Sequence, residues 1–428
     1  MNIGNWLQKE RLKVAWALLP ADKKAAIQPM IDAAHQQLQT YQATGKAPHD
    51  PTVPHQLILT KSALTDDADG TVAALPEPAA TAAPMAAVQV DVDAGGAIWG
   101  TGKYQQLDPG WLAAVAAWME HLILGKYSFP QGTPQVVNIP DQVTIAIAGD
   151  FGTGNWGTAA DPAPSTKIAT KGIPGVTPNL TIHLGDVYYE GSGSEETTNF
   201  VKLWPQGSGP ATSYTMNSNH EMYSGAKPYF VEALESPLFA AQKPWSFFAL
   251  ENTNWVIVGL DSAYYSDELT LYMNGSLGSS AQVDFLKAQA QKGKKVIVLT
   301  HHNGLSEDGS QATLLWREVM GCFPAGSPPA YWYWGHVHAG VAYKSQSGVY
   351  CRCTGHGAQP WGYASELVNP YVDWFENRNA GDPNDKVRVY NGFTLLQLNG
   401  ANLTETFFDE NGGVAWAQSN TTPATAGG

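Results

Sequence analysis

The segment LTIHLGDVYY, residues 180–189, joins an apolar, strand-like run to a turn that carries Asp186. Polar residues follow an apolar run in the same way in three further segments: VTIAIAGDFG (143–152), KVIVLTHH (295–302) and YWYWGHVH (331–338). A shorter motif, SNHE, occupies residues 218–221. The carboxyl ends of the strands in an open α/β sheet converge on one crevice, where ligands bind. The sequence therefore predicts an α/β fold whose polar strand ends line a single cleft.

The polar residues at these five places are carboxylates, an amide, a phenol and several imidazoles. They are Asp150, Asp186, Tyr189, Asn219, His220, His301, His336 and His338. Hard oxygen donors and imidazoles in this mixture hold two metal ions a few ångströms apart in hydrolytic sites. One such motif is weak support, because an aspartate after a strand is most often a turn residue. Five motifs in order predict a dinuclear metal centre.

Taken in order, the motifs GDxG, GDxxY, NHE, VxxH and GHxH resemble those of the calcineurin-like metallophosphoesterases, and in particular the purple acid phosphatase branch. The wider superfamily has a histidine in its first motif, where this chain has Gly152, and the tyrosine of GDxxY, Tyr189, replaces that ligand. Ser218 stands where the family usually has glycine. The resemblance covers residues 141 to 409 and implies a four-layer α/β/β/α sandwich.

Two metal ions that share a carboxylate need one bridging group and about three terminal ligands each. The resemblance implies that Asp186 is the bridge. It implies terminal ligands for the first ion at Asp150, Tyr189 and His338, and for the second ion at Asn219, His301 and His336. Anionic oxygens suit a trivalent ion, whereas an amide with two imidazoles suits a divalent one, so we expect Fe(III) with divalent Fe, Zn or Mn. Tyr188 is the alternative phenol ligand.

The resemblance also implies roles for residues beside the metal ligands. His220 would contact the substrate phosphate and protonate the leaving oxygen, and Glu221 would orient His220. His302 would contact phosphate or a bound water, and His356 would line the cleft. With Asn219, these two histidines and His220 make up the expected substrate-binding set. The nucleophile would be a metal-bound hydroxide.

The implied function is the dinuclear metal-dependent hydrolysis of phosphate esters, as in a purple acid phosphatase-like phosphomonoesterase. One alternative is a phosphodiesterase that acts on nucleotide, cyclic nucleotide or phospholipid head-group esters. The second is a non-catalytic binding protein that retains the metal site. The segment GTGNWG (152–157) formally matches a dinucleotide-binding turn, but Pro162 and Pro164 stand where the phosphate-binding helix would run. Prolines there exclude a nicotinamide site.

Composition limits which partners the chain can bind and in which compartment we expect it. Its formal net charge of −14 over 428 residues argues against a nucleic-acid-binding face. No run of ~18 apolar residues predicts a membrane span, and the amino terminus does not resemble a secretory signal peptide. We therefore expect a cytoplasmic protein, while the resemblance implies a secreted or periplasmic one. The expected partner is a small-molecule or macromolecular phosphate ester.

The chain divides by composition into five segments. They are a helical hairpin (1–45), a Pro/Ala-rich linker or extended segment (46–95), a helical segment packed on the catalytic domain (96–140), the metallophosphoesterase domain (141–412) and a tail (413–428). All the expected ligands lie beyond residue 149. We therefore expect the first ~90 residues to be dispensable for hydrolysis, as a separable appendage that recognises a partner protein.

Overall fold

The computed structural model of the chain describes residues 3–65, 90–209, 212–278, 280–382 and 385–420. Residues 66–89 of the predicted linker and 421–428 of the predicted tail lie outside these ranges. Within the described ranges, no helix combines the length and the apolar character needed to cross a bilayer.

The structure contains α-helices, short 3-10 and π-helical turns, and strands in three sheets. The α-helices are α1 (Ile3–Leu18), α2 (Ala21–Thr44), α3 (Thr60–Thr65), α4 (Trp111–Leu124), α5 (Pro164–Lys167), α6 (Ile173–Gly175), α7 (Gly193–Glu195), α8 (Asn219–Tyr223), α9 (Ser280–Ala290) and α10 (Leu314–Met320). The 3-10 turns are His55–Leu57, Pro237–Phe239, Glu268–Thr270 and Ser365–Leu367, and the π-helical turns are Ile168–Gly172, Glu196–Val201 and Tyr229–Ala233.

The strands are β1 (Asp91–Val92), β2 (Ile98–Trp99), β3 (Val137–Asn138), β4 (Gln142–Ala148), β5 (Leu180–His183), β6 (Ser213–Thr215), β7 (Phe248–Glu251), β8 (Trp255–Leu260), β9 (Lys295–Thr300), β10 (Tyr331–Trp334), β11 (Gly340–Tyr343), β12 (Tyr350–Thr354), β13 (Val372–Phe375), β14 (Gly392–Asn399), β15 (Asn402–Asp409) and β16 (Val414–Asn420). Strands β1 and β2 form a small sheet of their own. The six-stranded sheet has the order β16-β15-β14-β4-β5-β6, and the eight-stranded sheet has the order β13-β11-β12-β10-β9-β8-β7-β3.

The two large sheets pack face to face, and helices cover their outer faces. Ile145 and Ile147 of β4 belong to the same buried cluster as Ile257 of β8 and Ile297 of β9, which come from the other sheet. The intervening Ala146 belongs to the second cluster, together with residues from the helical segments. Because side chains alternate along a strand, an apolar residue at every position means that both faces are covered. The predicted mixed α/β sandwich is confirmed.

The first two helices pack against the rest of the chain. Leu12 of α1 and Ile31 of α2 are completely buried, in one cluster with residues of β8 and α4. Arg11 forms ion pairs with Glu120 of α4 at 2.8 Å and with Glu190 at 2.9 Å. Helix α1 therefore packs against α4, and a separable amino-terminal appendage is not what the structure shows.

Part of the predicted linker is also docked. His49 bonds to Asp93 at 3.3 Å and to Glu366 at 3.0 Å, and these two carboxylates raise the pKa of His49 to about 10. The indole of Trp361 donates to the carbonyl of Gly95 at 2.7 Å.

At the other end of the chain, the segment predicted as a tail begins with β16, which pairs with β15 and forms the sheet edge.

We predict that docking of α1 contributes measurably to stability. Leu12 and Leu18 lie on the same helix, and Leu12 is 0% exposed whereas Leu18 is 67% exposed. Leu12→Ala should lower the free energy of unfolding by about 2–5 kcal/mol, because it leaves a cavity in the core. The identical change at Leu18 should alter it by less than about 0.5 kcal/mol. Urea unfolding curves measure both, and equal small effects would contradict the docking.

Candidate metal centre

The predicted ligands follow strands from both large sheets. Asp150 lies two residues after β4, and Asp186 lies three residues after β5, in the six-stranded sheet. His301 follows β9 directly, and His336 lies two residues after β10, in the eight-stranded sheet. Strands β4 and β5 run parallel, and so do β9 and β10, so each pair ends at the same edge of its sheet. The structure brings all four side chains to one place.

Three ligand atoms converge around His301, and we call Asp186, Asn219 and His301 the His301 group. The Nε2 atom of His301 is 2.8 Å from Oδ1 of Asn219 and 3.3 Å from Oδ1 of Asp186. The amide nitrogen of Asn219 donates to the hydroxyl of Tyr223 at 3.0 Å, which assigns the oxygen to the His301 side.

The hydrogen bond on the far side of the His301 ring decides the chemistry of this group. Nδ1 of His301 bonds to the carbonyl of Leu184 at 2.8 Å, and a carbonyl only accepts, so the proton is on Nδ1. Burial lowers the pKa of His301, which favours the neutral ring with a lone pair on Nε2. Three lone pairs therefore face one another in a buried space, an arrangement that a cation stabilises.

A second set of ligand atoms surrounds the hydroxyl of Tyr188, and we call Asp150, Asp186, Tyr188 and His338 the His338 group. The hydroxyl lies 2.9 Å from Oδ2 of Asp186, 3.3 Å from Oδ1 of Asp150 and 3.2 Å from Nε2 of His338. Ligands at about 2.0–2.1 Å from one ion are about 3.0–3.4 Å from each other. The three distances from the Tyr188 hydroxyl are therefore close to those between ligands of a single ion.

Asp186 joins the two groups through its two oxygens. Oδ1 faces His301, and Oδ2 faces Tyr188 and lies 3.9 Å from Nε2 of His338. Burial opposes ionisation of Asp186, whose carboxylate accepts hydrogen bonds from the hydroxyls of Ser218 and Tyr188. Burial and the charge of Asp186 raise the pKa of Asp150 well above its usual range. A cation between these carboxylates would favour the ionised form of both.

Tyr189, the predicted phenol ligand, lies outside the His338 group. Its hydroxyl donates to Asp108, and its amide donates to Glu195 at 2.5 Å. Its ring packs so closely on Gly110 that a Cβ there would lie 2.4 Å from Cζ of Tyr189. The structure therefore places the hydroxyl of Tyr188, the alternative phenol, beside Asp150, Asp186 and His338, and that of Tyr189 beside Asp108. The two neighbouring tyrosines point to opposite sides of the chain, and only one can face Asp186.

Gly152 stands where related proteins have a histidine ligand, and this backbone has no room for one. A Cβ on Gly152 would lie 2.5 Å from the carbonyl oxygen of Asp186. The amide of Gly152 donates to that same oxygen at 3.0 Å, and the amide of Tyr188 donates to the carbonyl of Gly152 at 3.0 Å. The close approach that excludes a side chain also fixes the position of Tyr188.

Backbone strain is concentrated on the predicted ligands. Asp150, Asp186, His336 and His338 have φ values of 58°, 78°, 66° and 32°, in the left-handed region that residues with a side chain rarely adopt. Such conformations cluster at ligand clamps, where the surrounding structure holds them. The amide of His336 donates to Oδ2 of Asp150 at 2.9 Å, and its ring centroid is 5.1 Å from that of His301. His336 therefore lies beside the His301 group.

His220 presents one ring nitrogen to the centre. Its Nδ1 donates to the carbonyl of Tyr189 at 2.7 Å, and its Nε2 lies 3.9 Å from Oδ2 of Asp186. The expectation that Glu221 orients His220 is wrong. The carboxylate of Glu221 contacts the hydroxyl of Ser218 and accepts from the amide of Asp186 at 3.3 Å.

Ser218 is a site residue that sequence reasoning missed. Its hydroxyl is 2.5 Å from Oδ1 of Asp186 and also contacts Glu221. It therefore lies between two buried carboxylates and bonds to the one that both ligand groups share. The serine in place of the usual glycine was the available signal. Serine is almost as small as glycine, but its hydroxyl can form hydrogen bonds that glycine cannot.

His302 has no ring nitrogen left for phosphate or water. Nδ1 bonds to the hydroxyl of Ser262 at 2.9 Å, and Nε2 bonds to the carbonyl of Tyr272 at 2.7 Å. Burial and the neighbouring His301 lower the pKa of His302 to about 3. Although the ring nitrogens of His301, His302 and His336 lie near one another, those of His302 are already bonded. The expected substrate contact is therefore contradicted.

His356 lies behind the centre. Its ring packs on Phe407 with centroids 5.9 Å apart, and its nitrogens have no hydrogen-bond partner among the described residues. It lines a cavity of about 10 Å³ together with His338 and Trp361. That volume holds about one water molecule, so a substrate-binding role for His356 is not supported.

We predict that the neighbours His301 and His302 differ in what their loss removes. His301→Ala should lose metal, because it deletes a central atom of the His301 group. His302→Ala should retain metal but lower the free energy of unfolding of the metal-free protein by about 2–5 kcal/mol, through a cavity and two lost hydrogen bonds. Elemental analysis and urea unfolding measure these quantities. Metal loss in the His302 variant alone would reverse the assignment.

Comparisons with known proteins agree with this geometry. The calcineurin-like phosphoesterase family profile matches residues 143–340, which hold all the ligands of both groups. No curated protein matches the sequence.

Among solved structures, the GAP50 anchor of the Plasmodium inner membrane complex is 13% identical, with 65% of this chain and 88% of that chain covered and a TM-score of 0.48. A dimetal phosphatase from Danio rerio is 12% identical, with 65% and 98% covered and a TM-score of 0.38. A 5'-nucleotidase precursor from Thermus thermophilus is 11% identical, with 65% and 54% covered and a TM-score of 0.30. Similarities of this size transfer no activity to this chain. The family profile alone supports a calcineurin-like phosphoesterase domain at residues 143–340.

Proposed function

We propose that this protein is a dinuclear metal-dependent phosphomonoesterase similar to the purple acid phosphatases. The observation that carries the proposal is the position of Asp186, whose two oxygens face two different groups of ligand atoms. One ion would be held by the His301 group with His336, and the other by the His338 group. When bound, the two ions neutralise phosphoryl charge and lower the pKa of water.

The protein's own residues then have distinct tasks. Asp186 holds the two ion sites at a fixed separation, because its carboxylate is completely buried and its Oδ1 is bonded to Ser218 at 2.5 Å. His220 moves a proton at Nε2, since its Nδ1 is held by the carbonyl of Tyr189. A protonated Nε2 can donate to the leaving oxygen of an ester, which is the work of a general acid.

We propose Tyr188, in place of Tyr189, as the phenolate ligand. Its hydroxyl is the atom that contacts Asp150, Asp186 and His338 together. A phenol with an ordinary pKa of ~10 binds as phenolate only to a strong Lewis acid. This favours Fe(III) in the His338 group and divalent Fe, Zn or Mn in the His301 group.

We predict that the protein supplied with iron and with zinc or manganese hydrolyses p-nitrophenyl phosphate faster than its bis-ester. His220→Ala should keep both metals and lower kcat by about 10²- to 10⁴-fold, because it removes a positioned acid. Asp186→Ala should lose both metals and all turnover. Elemental analysis beside an ester panel measures this. Faster bis-ester cleavage would indicate a phosphodiesterase, and two bound metals without turnover of any ester would indicate a binding protein.

The two tyrosines give a spectroscopic prediction. The oxidised protein should show a phenolate-to-iron charge-transfer band in the visible region, and Tyr188→Phe should remove it because only a coordinated phenolate donates into iron orbitals. Tyr189→Phe is the matched control and should retain the band, since its hydroxyl is bonded to Asp108. Loss of the band in the Tyr189 variant alone would restore the assignment expected from the sequence motif. A colourless protein active with zinc or manganese would exclude iron.

A further inference from the structure

A histidine from the amino-terminal region lies beside the candidate metal centre. His55 begins the 3-10 turn His55–Leu57, more than 90 residues before the first metal ligand in the chain. Its ring centroid is 6.1 Å from that of His338 and 4.8 Å from that of Trp111. Its position follows from the docking of the amino-terminal region, and no spacing or motif in the sequence indicates it.

The fold holds this ring in place from both sides. The residues after His55, from Gln56 to Leu59, are buried, so the turn is anchored in the core. Trp111 packs edge to face against His55, and its indole donates to the carbonyl of Gln105 at 2.8 Å. The same Trp111 ring lies 5.9 Å from the ring of His220. One tryptophan therefore packs against both His55 and His220.

The free nitrogen of His55 is the informative atom. Its Nε2 is enclosed, and it has no hydrogen-bond partner among the described residues. Buried polar atoms are almost always bonded, and an unbonded nitrogen on a ring that packs beside His338 is available to a ligand bound at the centre. Neither of the two convergent groups of described histidine and acidic side chains includes His55. The His55 ring lies next to that of His338 but outside these groups, a position that suits contact with a molecule bound to the metals.

We propose that His55 is a substrate-binding residue that donates a hydrogen bond from Nε2 to an oxygen of the phosphoryl group. The inference rests on the proposed function, because it assumes a phosphate ester at the metal centre. The same contact would be made to inorganic phosphate, the product of the reaction. It makes the amino-terminal region a part of the substrate site, which reverses the expectation that those residues are dispensable.

The test compares two substitutions of His55 in the full-length, metal-loaded protein. His55→Phe retains a ring that packs on Trp111 but removes the donor, whereas His55→Gln retains a donor near the position of Nε2. His55→Phe should raise the Kd for inorganic phosphate and the KM for p-nitrophenyl phosphate by about 10- to 100-fold, as expected for a hydrogen bond to a charged group. His55→Gln should change both by less than about 3-fold. Calorimetric titration with phosphate and steady-state kinetics measure these values.

The controls separate this inference from the proposed function. His35→Phe changes a histidine of α2 whose ring bonds to Gln39 of the same helix, and it should leave both constants unchanged. His55→Leu is made as well, so that a folding defect of the phenylalanine variant does not decide the result. Unchanged phosphate affinity in an active, metal-loaded His55→Phe or His55→Leu variant would overturn the inference and leave the proposed function intact. Loss of a metal in these variants would also overturn it, because His55 would then be a ligand. Failure of the wild-type protein to hydrolyse any ester would count against the proposed function itself.

Discussion

The carboxylate of Asp186 is completely enclosed, and its two oxygens face two different groups of ligand atoms. An enclosed charge is costly unless it is paired and hydrogen-bonded, and here the pairing comes from imidazoles, from Ser218 and from the ions that the site would hold. The backbone around Asp186 has two unusual features. Asp186 itself has a left-handed backbone, with φ at 78°. The contact between its carbonyl and Gly152 excludes a side chain at that glycine. The turn that carries Asp186 thus combines a left-handed backbone at that residue with a glycine at position 152.

The sequence was sufficient for the fold and for identifying most of the side chains that the structure brings together at the candidate centre. Apolar runs that end in Gly-Asp, His-His and Gly-His indicated strands whose polar ends meet, and the structure places Asp150, Asp186, His301 and His338 accordingly. These residues were predictable because each depends on a strand end, which is a local feature. Side chains further from a strand end were harder to place, since their direction depends on contacts made by distant segments.

Two of the failures share one physical cause, which is that adjacent residues in an extended or turning chain point to different sides. Tyr188 faces the centre while Tyr189 packs on Gly110 and bonds to Asp108. His301 faces Asn219 while the ring nitrogens of His302 are bonded elsewhere. A motif such as GDVYY or THH contains both neighbouring residues, and it does not indicate which of the two side chains faces the centre. That choice depends on residues distant in sequence, and composition or spacing does not reveal them.

The amino-terminal helices illustrate the same limit at a larger scale. The sequence predicted a helical hairpin, but it does not identify the surface that each helix covers, and for α1 that surface is α4. Arg11 of α1 then reaches Glu190, the residue that follows the two tyrosines, so the first helix is bonded to the chain segment that carries Asp186 and Tyr188. Burial raises the pKa of Glu190 to about 7 even with Arg11 beside it. A buried acid in that position needs its partner, because an unpaired buried charge costs more than the pair contributes. This ion pair therefore couples the stability of the amino-terminal region to that of the segment that carries Asp186 and Tyr188.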